Sequence, residues 1–204
     1  EIHERLVGSE MCIRDSFISD MFNLYKYENL LYTMLLSGKE IKDFLEESYA
    51  GWTNQMQSAD DHLLLITQRK DGNGYTFKNP SFNFDSAAGI IYTVDVSKPK
   101  GEKISILKMA DGRPFEMDKQ YKVAINSYRG NGGGDLLTKG AGIPLNQLSS
   151  RIIASTEKDL RYYLIQYVKS KGTISPKAMN QWKMIPEEWV EKGKEKDSKL
   201  LFGK

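Results

Sequence analysis

The stretch NLLYTMLLSGKEIKDFLEESYAGW constrains the fold more than any other part of the chain. Asn29–Leu36 is a mostly apolar run suited to a buried strand. It leads straight into a helix signal. Ser37 and Glu40 have the spacing of a capping box, in which each side chain satisfies a backbone N–H that the first helical turn leaves free. Ile41, Phe44, Leu45 and Tyr49 then fall on one helical face.

Further strands are expected at Gly89–Ser97, Lys103–Lys108 and Gln120–Tyr128, with DGRP as a turn between the last two. Gln57–Asn79 is polar and reads as a long loop around a short LLLIT strand. A second helix is expected from STEKD onward. Leu160, Tyr163, Leu164, Tyr167 and Val168 form its apolar face, and Gly172 stops it. Residues 191–204 read as a charged tail that frays. Strands and helices mix without a βαβ rhythm, repeat or interdomain linker, so the expected class is α+β in a single domain.

The chain has 204 residues, of which 40% are hydrophobic and 27% charged, enough for one domain with its own core. Lys and Arg number 29 against 27 Asp and Glu. The balance of +2 makes no electrostatic case for a nucleic-acid duplex or a membrane surface. The longest apolar runs, such as Leu63–Ile66, are far below the ~20 residues of a membrane-spanning helix. With His3 and His62 as the only histidines, neither a Ser/His/Asp nucleophile nor a two-metal centre is expected in this chain. Asp60, Asp61 and His62 read as solvated loop residues, and Arg129 as a surface arginine beside a turn. Phe82 and Phe84 read as one face of a strand in the core, and Trp52, Trp182 and Trp189 as packing anchors.

The first residues stand apart. LVGSEMCIRDS, Leu6–Ser16, is too polar for a buried strand and too irregular for an amphipathic helix. One back-translation of it reads as a transposase-based library adapter. Residues 1–16 are therefore expected to be non-native, with natural sequence from about Phe17 and an N-terminal truncation. Without Cys12 the remainder has no cysteine, which excludes disulfides and thiolate metal sites.

Arg129-Gly-Asn-Gly-Gly-Gly-Asp135 follows an expected strand ending in Tyr128. Three readings stay open. The glycines form an ordinary turn, which the local sequence favours. They cradle a phosphate, although no GK[ST] or G-x-G-x-x-G pattern is present. Or they form a ligand rim that lets Tyr128 present its ring.

Three segments bear on that choice: LYKYENLLYTMLLSGKEIKDFLEESYAGWTNQM, SFNFDSAAGIIYTVDVSKPKGEKI and YKVAINSYRGNGGGD. In this order they resemble the C-terminal domain of the 5'-nucleotidase family. The local pairs Y-x-N, NFD and N-x-Y-R are most similar to the 2',3'-cyclic-nucleotide 2'-phosphodiesterase/3'-nucleotidase branch. The resemblance runs from about Ser19 to Pro186.

It implies a layered α/β/β/α domain over residues 17–190 that binds a nucleotide or nucleoside. It also implies an N-terminal metallophosphoesterase domain of the same polypeptide, holding two divalent metal ions, and a periplasmic or cell-envelope location. Tyr27 and Tyr128 fall on the family's base-stacking aromatics and Asn29 on a substrate-holding polar residue. Asn83, Asn131 and Asp135 are further substrate-binding candidates. Gly134 stands where the 5'-nucleotidase branch has a ribose-binding aspartate, and Asp135 follows one residue later. The chain by itself is expected to be inactive as a phosphoric ester hydrolase. The alternative is a non-catalytic solute-binding or structural domain.

Overall fold

A computed structural model describes residues 18–203. The expected non-native segment 1–16, with His3 and Cys12, lies outside the described residues. The elements run α1 (Ile18–Leu24), β1 (Leu30–Ser37), α2 (Gly38–Ala50), β2 (Ile66–Gln68), β3 (Tyr75–Phe77), β4 (Ile90–Asp95) and β5 (Ile104–Met109). They continue β6 (Gln120–Asn126), α3 (Ser127–Gly130), α4 (Leu148–Arg151), β7 (Ile152–Asp159), α5 (Leu160–Lys171), β8 (Trp182–Ile185) and α6 (Glu187–Phe202). The α+β class holds.

The capping box forms as its spacing requires. Glu40 N–H donates to Ser37 Oγ at 3.1 Å, and Ser37 N–H donates to the Glu40 carboxylate at 2.7 Å. The apolar face of α2 then serves two sheets. One has the order β6-β1-β7 and is antiparallel. The other is β5-β4-β8, with β4 antiparallel to β5 and parallel to β8. Leu45 and Tyr49 pack with Ile90, Tyr92, Val94 and Ile104, while Met34, Leu36 and Leu137 form a second cluster. Ile41 and Phe44 touch both clusters, so one helix face joins the two sheets. Truncating a side chain as enclosed as Leu45 costs about 2–5 kcal/mol, from lost transfer energy and the cavity left behind. The Tyr49 and Tyr92 hydroxyls meet at 2.9 Å, and burial pushes both phenols up.

Several expectations need correction. STEKD does not start a helix. Ile152–Asp159 is a strand on β1, and its β-branched residues suit that pairing. The helix begins at Leu160, because Asp159 accepts the Tyr162 N–H and acts as its N-cap. Its apolar face is also less buried than expected, since Tyr163 and Tyr167 are exposed. The Gln57–Asn79 loop contains a hairpin, β2–β3; of the LLLIT run only Ile66 and Thr67 lie on its first strand, and Leu64 makes an isolated bridge to Thr53. Phe82 and Phe84 are not on a strand. Ser81–Asn83 is a tight helical turn that leaves Phe82 exposed, while Phe84 packs on Tyr49 and Trp52.

The charged end does not fray either: residues up to Phe202 belong to α6. Exposed i,i+4 pairs such as Lys192–Glu188 contribute only about 0.3–0.5 kcal/mol each. The helix is held instead by Trp189 and Val190, which pack on Met56, Leu63 and Val96, and by Asp197. That carboxylate is 1% exposed, accepts Leu64 N–H at 2.8 Å and meets His62 Nδ1 at 2.6 Å. His62 is therefore a partner of the C-terminal helix and not a solvated loop residue.

Candidate functional site

The antiparallel register of β1 and β6 places Leu31 opposite Asn126. One residue further out, Leu30 N–H donates to Ser127 Oγ at 3.0 Å, and that hydroxyl lies 3.5 Å from Asn29 Oδ1. Asn29 Nδ2 donates to the Tyr25 hydroxyl at 2.9 Å, and its carbonyl accepts Leu160 N–H at 2.8 Å. The segments carrying Tyr27 and Tyr128 thus meet at one end of the sheet, with Ser127 as the tie. Both rings are open to solvent, Tyr27 at 45% and Tyr128 at 42%.

Tyr128 does not end a strand, as the sequence led one to expect. β6 stops at Asn126, whose side chain caps α3 by accepting Arg129 N–H at 2.8 Å. The turn sends Tyr128 outward and Arg129 inward. Far from lying on the surface, Arg129 is only 2% exposed. Its guanidinium forks onto Asp85 at 2.7 and 3.1 Å. It also donates to Asn83 Oδ1 and the Gly133 carbonyl, each at 3.1 Å, and to the Phe82 carbonyl at 2.9 Å. These contacts occupy all five guanidinium N–H donors. Arg129 has none left for a phosphate. The same group sits 5.3 Å from the centroid of the Tyr128 ring.

Two of the glycines now have a specific reason. A Cβ on Gly133 would lie 2.5 Å from Tyr128 Cε2. A Cβ on Gly134, at φ +72°, would lie 2.0 Å from Arg129 Nη1. The loop therefore closes against Tyr128 and Arg129 and does not stand away from them.

The lower-ranked candidates divide. Asn83 and Asp135 line a cleft of about 190 Å³ with Glu47, Ser48, Trp52 and Lys139. Tyr27, Asn29, Tyr128 and Asn131 are not part of that lining. Asp135 is exposed, sits at φ 63°, and is held below the usual carboxylate range by a hydrogen bond from Lys139. Asn131 is exposed and closes the C-terminal end of α3 through its backbone N–H.

Tyr27 has an arginine nearby as well. Arg161 donates to Asp159 at 3.0 Å, to the Lys26 carbonyl at 3.3 Å and to Glu28 at 3.1 Å, which brackets Tyr27 in sequence. Reading the sequence missed Ser127, Asp85 and both arginines. For Arg129 a signal was present: NFD and N-x-Y-R are the two halves of one knot. Among the described residues, no three His, Cys, Asp or Glu side chains gather as a metal ion would require. Among them, too, no helix is long and apolar enough to cross a membrane.

Residues 18–139 match the family described as 5'-nucleotidase, C-terminal domain. The chain belongs to that family. It is 32% identical over 185 residues to the trifunctional nucleotide phosphoesterase protein YfkN of Bacillus subtilis, covering 84% of this chain and 11% of that protein. It is 31% identical over 180 residues to the 2',3'-cyclic-nucleotide 2'-phosphodiesterase/3'-nucleotidase of Salmonella typhimurium, covering 80% of this chain and 25% of that protein. The chain thus spans a tenth to a quarter of the length of these relatives. A putative 5'-nucleotidase from Staphylococcus aureus shares the fold at a TM-score of 0.57 and 20% identity, over 81% of this chain and 29% of that one. A 5'-nucleotidase precursor from Thermus thermophilus does so at 0.54 and 15%, over 84% and 28%. The 5'-nucleotidase C-terminal fold expected from the three motifs is therefore present.

Proposed function

We propose that this 5'-nucleotidase C-terminal domain recognises the nucleoside part of a nucleotide by stacking the base between Tyr27 and Tyr128. Asn29 lies between the two rings' segments and contributes a polar contact. Asn83, Asn131 and Asp135 are outer candidates for the sugar. In the longer polypeptide the phosphate would be presented to an N-terminal metallophosphoesterase domain. Two divalent metal ions there would activate water for hydrolysis of a 5', 3' or 2',3'-cyclic phosphoester. A periplasmic or cell-envelope setting belongs to the same reading, as does the non-native origin of residues 1–16.

The observation that carries the proposal is the Ser127 tie, which brings the two solvent-open tyrosines to one end of one sheet. The names of the relatives support phosphoester hydrolysis as the setting. Titrating the chain with adenosine by calorimetry tests it. Tyr27→Ala and Tyr128→Ala should each weaken binding, by the ~1–3 kcal/mol that base–aromatic stacking contributes. Tyr→Phe at either position should change it little, since the ring does the stacking. Wild-type affinity in both alanine variants would sink the reading. The chain with added divalent metal should release no phosphate from AMP or 3'-AMP, and reproducible metal-dependent release would overturn that part.

A further inference from the structure

We infer that Arg129, held by Asp85, is a positioning residue that sets the orientation of the Tyr128 ring; the inference rests on the proposed stacking role of Tyr128. A tyrosine on a short exposed turn has two free side-chain torsions, and a ring that rotates freely pays for its own immobilisation when a ligand stacks on it. Three contacts remove that freedom here. The guanidinium lies 5.3 Å from the ring centroid, within the range of a cation–π contact. The backbone at Gly133 lies against the ring edge, so closely that only a hydrogen fits in place of a side chain. The Gly133 carbonyl that holds this backbone in place accepts its bond from Arg129 itself, at 3.1 Å. One buried side chain thus presses on the ring directly and also fixes the wall beside it.

The position of Arg129 is set in turn by a different part of the chain. Asp85 neutralises the charge through a two-pronged contact, and Asn83 and Phe82 take two more donors. Asp85 is anchored to α2, because Ser48 Oγ bonds both its carbonyl and its N–H at 2.7 Å. The path from the apolar core to the exposed ring therefore runs α2, Ser48, Asp85, Arg129, Tyr128. A lysine at 129 would retain the charge but lose the fork and its fixed plane.

The test uses the 204-residue chain, labelled in its tyrosine rings for NMR, with adenosine as probe. In the wild-type protein the Tyr128 ring protons should show cross-peaks to the Gly133 α-protons, and the Arg129 side-chain protons should be shifted by the ring current. Their absence overturns the inference without any variant. Arg129→Lys and Asp85→Asn should lose those cross-peaks at temperatures where the rest of the spectrum stays folded. Adenosine affinity should fall about tenfold, the equivalent of one cation–π-sized contribution. A role in stability alone would lower the melting temperature and leave cross-peaks and affinity in place; that result rejects the positioning role. If the wild-type cross-peaks are present but adenosine neither binds nor shifts the Tyr128 signals, the nucleoside reading fails while the fixed ring stands.

Discussion

The two tyrosines proposed to hold a base each have a neighbouring buried arginine, and the two arginines differ in what else they touch. Arg129 is enclosed, and its carboxylate partner Asp85 is largely shielded, with its side chain 26% exposed. Arg161 leans on Asp159 and on Glu28, whose side chain is 83% exposed, and its ring contact is to Phe22 and not to the tyrosine it flanks. Four of the five Arg129 contacts span 44 to 47 residues of sequence, and Asp85 ties them to α2. Arg161 is itself 7% exposed, and its contacts join α5 to the short segment between α1 and β1. Both arginines are taken out of water and must be paired, but the exposed Glu28 can give up its arginine for solvent at little cost. In the proposed slot we take the Tyr128 side as the fixed wall, because its arginine also touches the ring, and the Tyr27 side as the adjustable one, because Arg161 touches Phe22 instead.

The sharpest way to break this comparison is Asp85→Ala. It leaves the Arg129 charge buried and unpaired, and the loss should be about 3 kcal/mol, at the lower end of the range for broken buried pairs because Asp85 is partly open. Urea denaturation measures it. A loss below about 1 kcal/mol would make Arg129 no more firmly held than a surface ion pair.

Next in size is the difference between the rings. Tyr128→Ala should reduce adenosine affinity by about 2 kcal/mol and Tyr27→Ala by about 1 kcal/mol, because a fixed ring loses less entropy on stacking. Equal losses, or the reverse order, would remove the distinction between fixed and adjustable walls.

Arg161→Ala should destabilise the chain less than Asp85→Ala, and Glu28→Ala should leave the denaturation midpoint unchanged. A Glu28→Ala effect as large as that of Arg161→Ala would show the outer pair to be structural after all.

The smallest effect concerns pH. The Asp159 carboxyl lies below its ordinary value of 3.8, chiefly because it accepts the Tyr162 N–H. A folded value below the unfolded one contributes stability that is present above the unfolded value and is lost as pH falls through the folded one. Asp159→Asn keeps an oxygen for the cap and removes the titration. Its melting temperature should therefore decline less steeply than wild type below about pH 4. Parallel curves would show that the carboxylate contributes nothing to the Tyr27 side.

Much of the frame was legible in the sequence because it rests on local rules. The Ser37–Glu40 box and the apolar face of α2 are short-range patterns, and both form as read. The strands at Ile90–Asp95, Ile104–Met109 and Gln120–Asn126 follow from alternation and turn residues. The ordered motifs pointed to the family, and the family profile matches. The failures share a cause. α6 looked like a tail because Asp197 finds Leu64 and His62 more than 130 residues upstream. β7 looked helical because its partner, β1, lies over 100 residues away. Arg129 looked exposed because nothing near it in sequence announces four acceptors from elsewhere and one from its own loop.

The sequence by itself determined where much of the chain turns, which face of α2 is apolar, and that a glycine-rich loop follows Tyr128-Arg129. Only the tertiary structure decided that glycines are required there. Gly133 and Gly134 are required by the Tyr128 ring and the Arg129 guanidinium packed against them, and that packing exists only once Asp85 has come back to neutralise the arginine. Capping, alternation and turn formation depend on atoms a few residues apart, so the sequence carries them openly. Whether a charged side chain lies inside or outside depends on a partner's position in space, which only the folded chain supplies.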